Sequence, residues 1–104
     1  MDTEALTLSS VSHVSTRVPR RYLGQLCKHF QHKLPVTYAE SYETGRIEFS
    51  AGVCELQAAD AEGILEMRTR AASDADLARL EDVVARHLVR FAFRETLDLS
   101  WTRE

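Results

Sequence analysis

Long apolar runs are missing from this chain of 104 residues. No stretch approaches the roughly 18–20 apolar residues that span a bilayer, which excludes a membrane-spanning role. Cysteine occurs only twice, at Cys27 and Cys54. Two thiols that far apart make no disulfide framework, and both are read as the reduced thiols of a cytoplasmic protein. Two prolines and four glycines leave no linker and no glycine-rich phosphate loop. A Gly-x-Ser-x-Gly elbow, a His-Glu-x-x-His pair and a Cys-x-x-Cys pair are also absent, so no enzymatic signature presents itself. The opening residues, Met1 to Ser10, contain two acids and lack the basic and apolar regions of a secretory signal. Residues 1–9 are expected to form a flexible tail and residues 10–104 a single domain.

What remains is an ordinary globular composition, 44% hydrophobic and 28% charged, enough for one core and too little for two. The net charge of −3 conceals an asymmetry. Arg17, Arg20, Arg21, Lys28 and Lys33 fall in one segment that contains no acid, so that segment carries +5 and the rest of the chain −8. A cationic patch on an acidic body attracts anions or an acidic partner. The acidity elsewhere ranks nucleic acid low.

Hydrophobic spacing gives the order β-α-β-β-β-β-α-β. Residues 10–16 are β-prone and weakly patterned, as an edge strand would be. Pro19 suits the first turn of a helix. Tyr22, Leu23, Leu26 and Phe30 then recur at helical spacing, and Leu34-Pro35 ends the run. A meander follows: Leu34, Val36 and Tyr38 alternate, then Ile47 and Phe49, then Cys54, Leu56 and Ala58, then Leu65 and Met67. Turns are expected at Glu43–Arg46, Ser50–Gly52 and Asp60–Gly63. Ser73, with Asp76 three residues on, opens a second helix that should run to Phe93. Leu97, Leu99 and Trp101 then alternate on a closing strand, with Trp101 in the core. These elements fit a two-layer α+β sandwich, a mostly antiparallel sheet with both helices on one face.

Within the second helix, His87 falls among Leu77, Leu80, Val84, Leu88 and Phe91. An imidazole on an apolar face needs a hydrogen-bond partner to offset its desolvation. On the first helix, at about 100° per residue, Cys27 and His29 lie about 160° apart, so they cannot share a metal, whereas His29 and His32 are about 60° apart. If the helices pack side by side, His87 approaches His29 or Tyr22. Two imidazoles with a carboxylate or thiol would suit zinc or ferrous iron, but no third ligand is identifiable. Core packing, with a bond to a backbone carbonyl or a carboxylate, is the plainer reading of His87. Arg90 and Arg94 complement the helix dipole, or grip a carboxylate or phosphate.

The strings Arg21-Tyr22-Leu23-Gly24-Gln25-Leu26-Cys27-Lys28-His29-Phe30-Gln31-His32-Lys33 and Leu80-Glu81-Asp82-Val83-Val84-Ala85-Arg86-His87-Leu88-Val89-Arg90-Phe91-Ala92-Phe93-Arg94-Glu95, with Trp101, resemble the bacterial domain-of-unknown-function family 2218. The resemblance runs from about Val11 to Arg103. It implies a bacterial cytosolic protein and a single domain, and it supplies no activity and no cofactor. Similar domains are sometimes joined to flavin-dependent siderophore-interacting reductases, which implies a role near iron or siderophore and a partner of that kind. The residues available for such a ligand are His29, His32, His87, Arg90 and Arg94. The leading expectation is therefore a non-enzymatic binding or accessory domain in iron or siderophore handling. Its rivals are a module that docks an acidic partner or anion through Arg20, Arg21, Lys28 and Lys33, and a small enzyme with a histidine base. Monomer and homodimer both fit, since an edge strand at 10–16 would permit sheet extension.

Overall fold

A computed structural model describes residues 6–104. β1 (Leu8–Ser15) leads into α1 (Pro19–Phe30), then β2 (Val36–Tyr38), β3 (Thr44–Phe49), β4 (Gly52–Ala59), β5 (Ile64–Ala71), α2 (Asp74–Phe91) and the short β6 (Thr102–Arg103). The six strands form one sheet in the order β2-β3-β4-β5-β1-β6, every neighbouring pair antiparallel. The architecture is the expected α+β sandwich.

The period-2 alternation assigns the two sheet faces. Val14, Ile47, Cys54, Leu56, Leu65 and Met67 are buried on one face, under Leu23, Leu26, Val84 and Leu88 of the helices. Each of these valine, isoleucine, leucine and methionine side chains contributes about 1.5–3 kcal/mol when fully buried. The opposite face carries crossed ion pairs instead. Arg46 meets Glu48 and Glu55, Arg70 meets Glu55, and Arg68 meets Glu66 and Glu104. These pairs are solvated, so they make the outer face soluble more than they stabilise it.

Local chemistry sets the helix ends. Pro19 occupies the first position of α1, and the Asp60 carboxylate, from the turn between β4 and β5, accepts a hydrogen bond from the Arg20 backbone N–H at 3.3 Å. Ser73 caps α2, its Oγ accepting from Asp76 N at 3.2 Å.

Four sequence expectations are corrected. β1 begins at Leu8, so Leu8 and Ser9 belong to the sheet and not to a tail, while residues 1–5 lie outside the described residues. β1 is also not the outermost strand, because β6 pairs with it at Ser10 and Val11. Thr44, Gly45 and Arg46 belong to β3, and the turn falls earlier, where Tyr42 N donates to Ala39 O at 2.9 Å and Tyr42 takes φ 62°. Gly45 looked like a turn glycine, yet it is a strand residue that makes room for α1: a Cβ there would lie 2.7 Å from the Cys27 sulfur. Finally, α2 stops at Phe91 and the closing strand shrinks to Thr102–Arg103. Leu97, Leu99 and Trp101 are half-buried against the core on an irregular segment outside the sheet. Their alternation reports one covered side, which an unpaired extended segment possesses as well as a strand.

Candidate functional site

The two helices run past each other in opposite directions, so His29 meets His87 while Tyr22 meets Glu95. Two separate cavities lie along this crossing, and some of the residues singled out in the sequence fall in each.

The first is a cleft of about 660 Å³ at the start of α1 and the end of α2, lined by Arg17, Val18, Arg21, Tyr22, Gln25, Phe91, Phe93, Arg94 and Glu95. Its floor is a hydrogen-bond knot. Glu95 Oε2 accepts from the Tyr22 hydroxyl at 2.7 Å and the Thr16 hydroxyl at 2.8 Å, and Oε1 accepts from Arg17 N at 3.4 Å. Those donors, the tyrosine first, hold the Glu95 carboxyl below its ordinary range. Burial, reinforced by the carboxylate, pushes the Tyr22 phenol up. Around this knot stand Arg17, Arg21 and Arg94, all exposed, and none forms a side-chain ion pair among the described residues. Arg94 lies over the Phe93 ring, 5.5 Å from its centroid. Phe93 itself is 79% exposed, the most exposed large apolar side chain among the described residues.

The second cavity, about 500 Å³, opens at the other end of α1 and holds His29, His32, Lys33 and His87 around Phe30, Leu34, Phe49 and Val83. The His29 and His87 rings are 4.9 Å apart, and His87 also lies 4.8 Å from Phe30. His87 Nδ1 is 2.7 Å from Val83 O. A carbonyl only accepts, so Nδ1 carries the proton. His87 is thus half-buried and bonded to its own helix, much as the plainer sequence reading had it.

Partial desolvation of the ring, then the neighbouring His87 and Arg90, lowers the His29 imidazole from its ordinary value of 6.5. The folded protein therefore binds fewer protons there than the unfolded chain, and stability rises with pH across the window just below 6.5. In melts taken between about pH 5 and 7, His29→Phe is expected to flatten that limb. An unchanged slope would refute the assignment.

The proposed cationic patch does not act as a unit. Arg20 is drawn off by Asp60, Nε to Oδ2 at 2.6 Å, and Lys28 sits over the Tyr42 ring at 4.9 Å from its centroid. Arg21 faces the first cleft and Lys33 borders the second cavity. Arg90 lines neither; it borders a shallow apolar surface with Val89 and Leu99. Arg94 parts company with the histidines and joins the first cleft. Among the described residues no group of three or more His, Cys, Asp or Glu is placed to hold a metal ion. Arg17, Phe91, Phe93 and Glu95 are not among the site residues that the sequence suggests. The signal for them lies in the antiparallel crossing, which puts the residues before α1 beside those after α2.

The family model described as "Uncharacterized protein conserved in bacteria (DUF2218)" matches residues 11–102. The chain belongs to this family. Its match spans both cavities, and the family description names no activity. No curated protein matches the chain. Among solved structures, the NMR structure of PA4090 from Pseudomonas aeruginosa is similar, with 36% sequence identity over 92% of this chain and 96% of that one, at a TM-score of 0.76. No helix among the described residues is long and apolar enough to cross a membrane.

Proposed function

We propose that this domain binds a small anionic molecule in the cleft between the start of α1 and the end of α2. One observation carries the reading: three guanidinium groups, Arg17, Arg21 and Arg94, line one cavity without ion-pair partners among the described residues. Guanidinium forks match carboxylate and phosphate oxygens in bidentate fashion, and such charge-assisted bonds are the strong ones. The nearby carboxylate, Glu95, already accepts three hydrogen bonds and so competes weakly for the arginines. Phe91 and Phe93 give the cleft an apolar wall, so the fitting ligand joins an anionic head to an aromatic or aliphatic body. An iron or siderophore role rests on the family resemblance alone, and the histidine pair lends it no third donor.

Titration with phenyl phosphate, followed by NMR of arginine side chains and backbone amides, tests the proposal. Shifts should centre on Arg17, Arg21 and Arg94, and Arg21→Ala and Arg94→Ala should each weaken binding about tenfold, within the range of one charge-assisted bond. Uncharged benzyl alcohol should leave these resonances unmoved. Affinity unchanged in both alanine variants, or shifts centred elsewhere, would overturn the assignment.

A further inference from the structure

The second cavity is independent of the arginine cleft, and its chemistry is of the opposite kind. Phe30, Leu34, Phe49 and Val83 give it apolar walls, and the rings of His29, Phe30, Phe49 and His87 pack with centroids 4.8–5.1 Å apart in tilted and edge-on arrangements. An additional ring in the adjoining cavity can pack against the uncovered edges and faces of this cluster, an arrangement aromatic groups prefer. Its polar character is also defined. Because His87 Nδ1 donates to Val83 O, the neutral ring leaves its lone pair on Nε2, an acceptor without a hydrogen-bond partner among the described residues. The neighbouring His29 is shifted towards its neutral form by partial desolvation and by His87. A neutral His29 ring offers an acceptor nitrogen of its own, whichever tautomer it adopts. Lys33 and His32 border the opening. Both are exposed side chains, and the rest of the lining is mainly apolar.

From this arrangement we infer that the His29–His87 cavity is a second binding site, for a neutral aromatic molecule carrying one O–H or N–H donor, of which phenol is the simplest example. The ring would stack among Phe30, Phe49 and His29, and the donor would point to His87 Nε2. The cavity of about 500 Å³ exceeds one such ring, so larger aryl compounds with the same donor also fit. A carboxylate is disfavoured, since it brings charge and no proton to an acceptor lone pair.

The deciding comparison needs no mutation. Phenol and anisole share a ring and differ in the O–H donor, so both are titrated into the wild-type protein at neutral pH and followed through histidine ring and aromatic resonances. Phenol should bind about tenfold more tightly than anisole, with its largest shifts at His29, His87 and Phe49. His87→Phe, which keeps an aromatic ring and removes its acceptor, should shrink the difference between the two ligands. Equal affinities for phenol and anisole in the wild type, or phenol shifts located away from these three residues, would overturn the assignment even if the variant failed to fold. The arginine cleft is read separately by phenyl phosphate, so either site can fail alone.

Discussion

Gly52→Ala is expected to destabilise the domain by about 3–5 kcal/mol, enough to lower the melting temperature of a domain this size by roughly 15–30 °C. Gly52 opens β4 with φ 154°, a region that side chains rarely adopt, and strain of that kind costs about 1–3 kcal/mol. The second contribution is steric. A Cβ at this position would lie 2.1 Å from the backbone oxygen of Arg70 and 2.9 Å from Leu80 Cδ1. Leu80 can turn aside, but the carbonyl belongs to β5, whose residues Ala71 and Arg70 pair with Gly52 and Val53. Relieving the clash therefore means opening the β4–β5 ladder, and overpacking costs about 1–3 kcal/mol even where side chains yield. Thermal melts with a parallel Gly45→Ala variant separate the two causes. At Gly45 the obstruction is the Cys27 sulfur, so Cys27→Ala should restore much of the lost stability there. Leu80→Ala should not rescue Gly52→Ala. A Gly52→Ala protein that melted within a few degrees of wild type would show that β4 and β5 do not approach as closely as described.

The same pair of glycines marks how far the sequence could be read. By sequence both read as turn residues, because a glycine among polar neighbours usually is one. Gly52 does adjoin a turn, opening β4 directly after Ala51, whereas Gly45 lies inside β3 for the sake of a sulfur eighteen positions earlier in the chain. Spacing rules detect what a residue does to its own backbone and miss what a distant side chain requires of it. The helices were legible for the converse reason. Tyr22, Leu23, Leu26 and Phe30, like Leu77, Leu80, Val84 and Leu88, report a local period that survives folding. The candidate sites fall between these cases. That His29 and His87 could meet followed from two helices packed side by side. That Arg94 would leave them for Arg17 and Arg21 depended on helix direction, which composition does not encode. Counting charges likewise united Arg20, Arg21, Lys28 and Lys33, and the fold then dispersed them, because Asp60 and Tyr42 come from strand connections that no local pattern brings to α1.

Glu95→Gln should move stability and anion affinity in opposite directions, which no purely structural role predicts. The carboxylate ties the end of β1, α1 and the segment after α2 together through Thr16, Arg17 and Tyr22. A glutamine keeps the shape, yet its amide offers one accepting oxygen in place of two, and the bonds that remain lose their charge. At about 1.5–3 kcal/mol for a hydrogen bond to a charged group, an overall loss of about 2–3 kcal/mol is expected at neutral pH. The pH dependence has a fixed sign. Tyr22 and Thr16 depress the Glu95 carboxyl below its ordinary value of 4.5. The native state therefore holds the proton less tightly than the unfolded chain. The stabilisation is complete above that ordinary value and is lost as pH falls through the lower, folded one. The deficit of Glu95→Gln should thus shrink in acid, below the window in which His29 acts. Phenyl phosphate, meanwhile, should bind more tightly to Glu95→Gln, because the variant removes the negative charge that faces Arg17, Arg21 and Arg94 across the cleft. In a solvated site the gain should be severalfold at low ionic strength and should fade as salt screens it. If affinity fell together with stability, the carboxylate would be holding the arginines in place for the ligand and not competing with it. Unchanged affinity at low salt would place the anion outside this cleft.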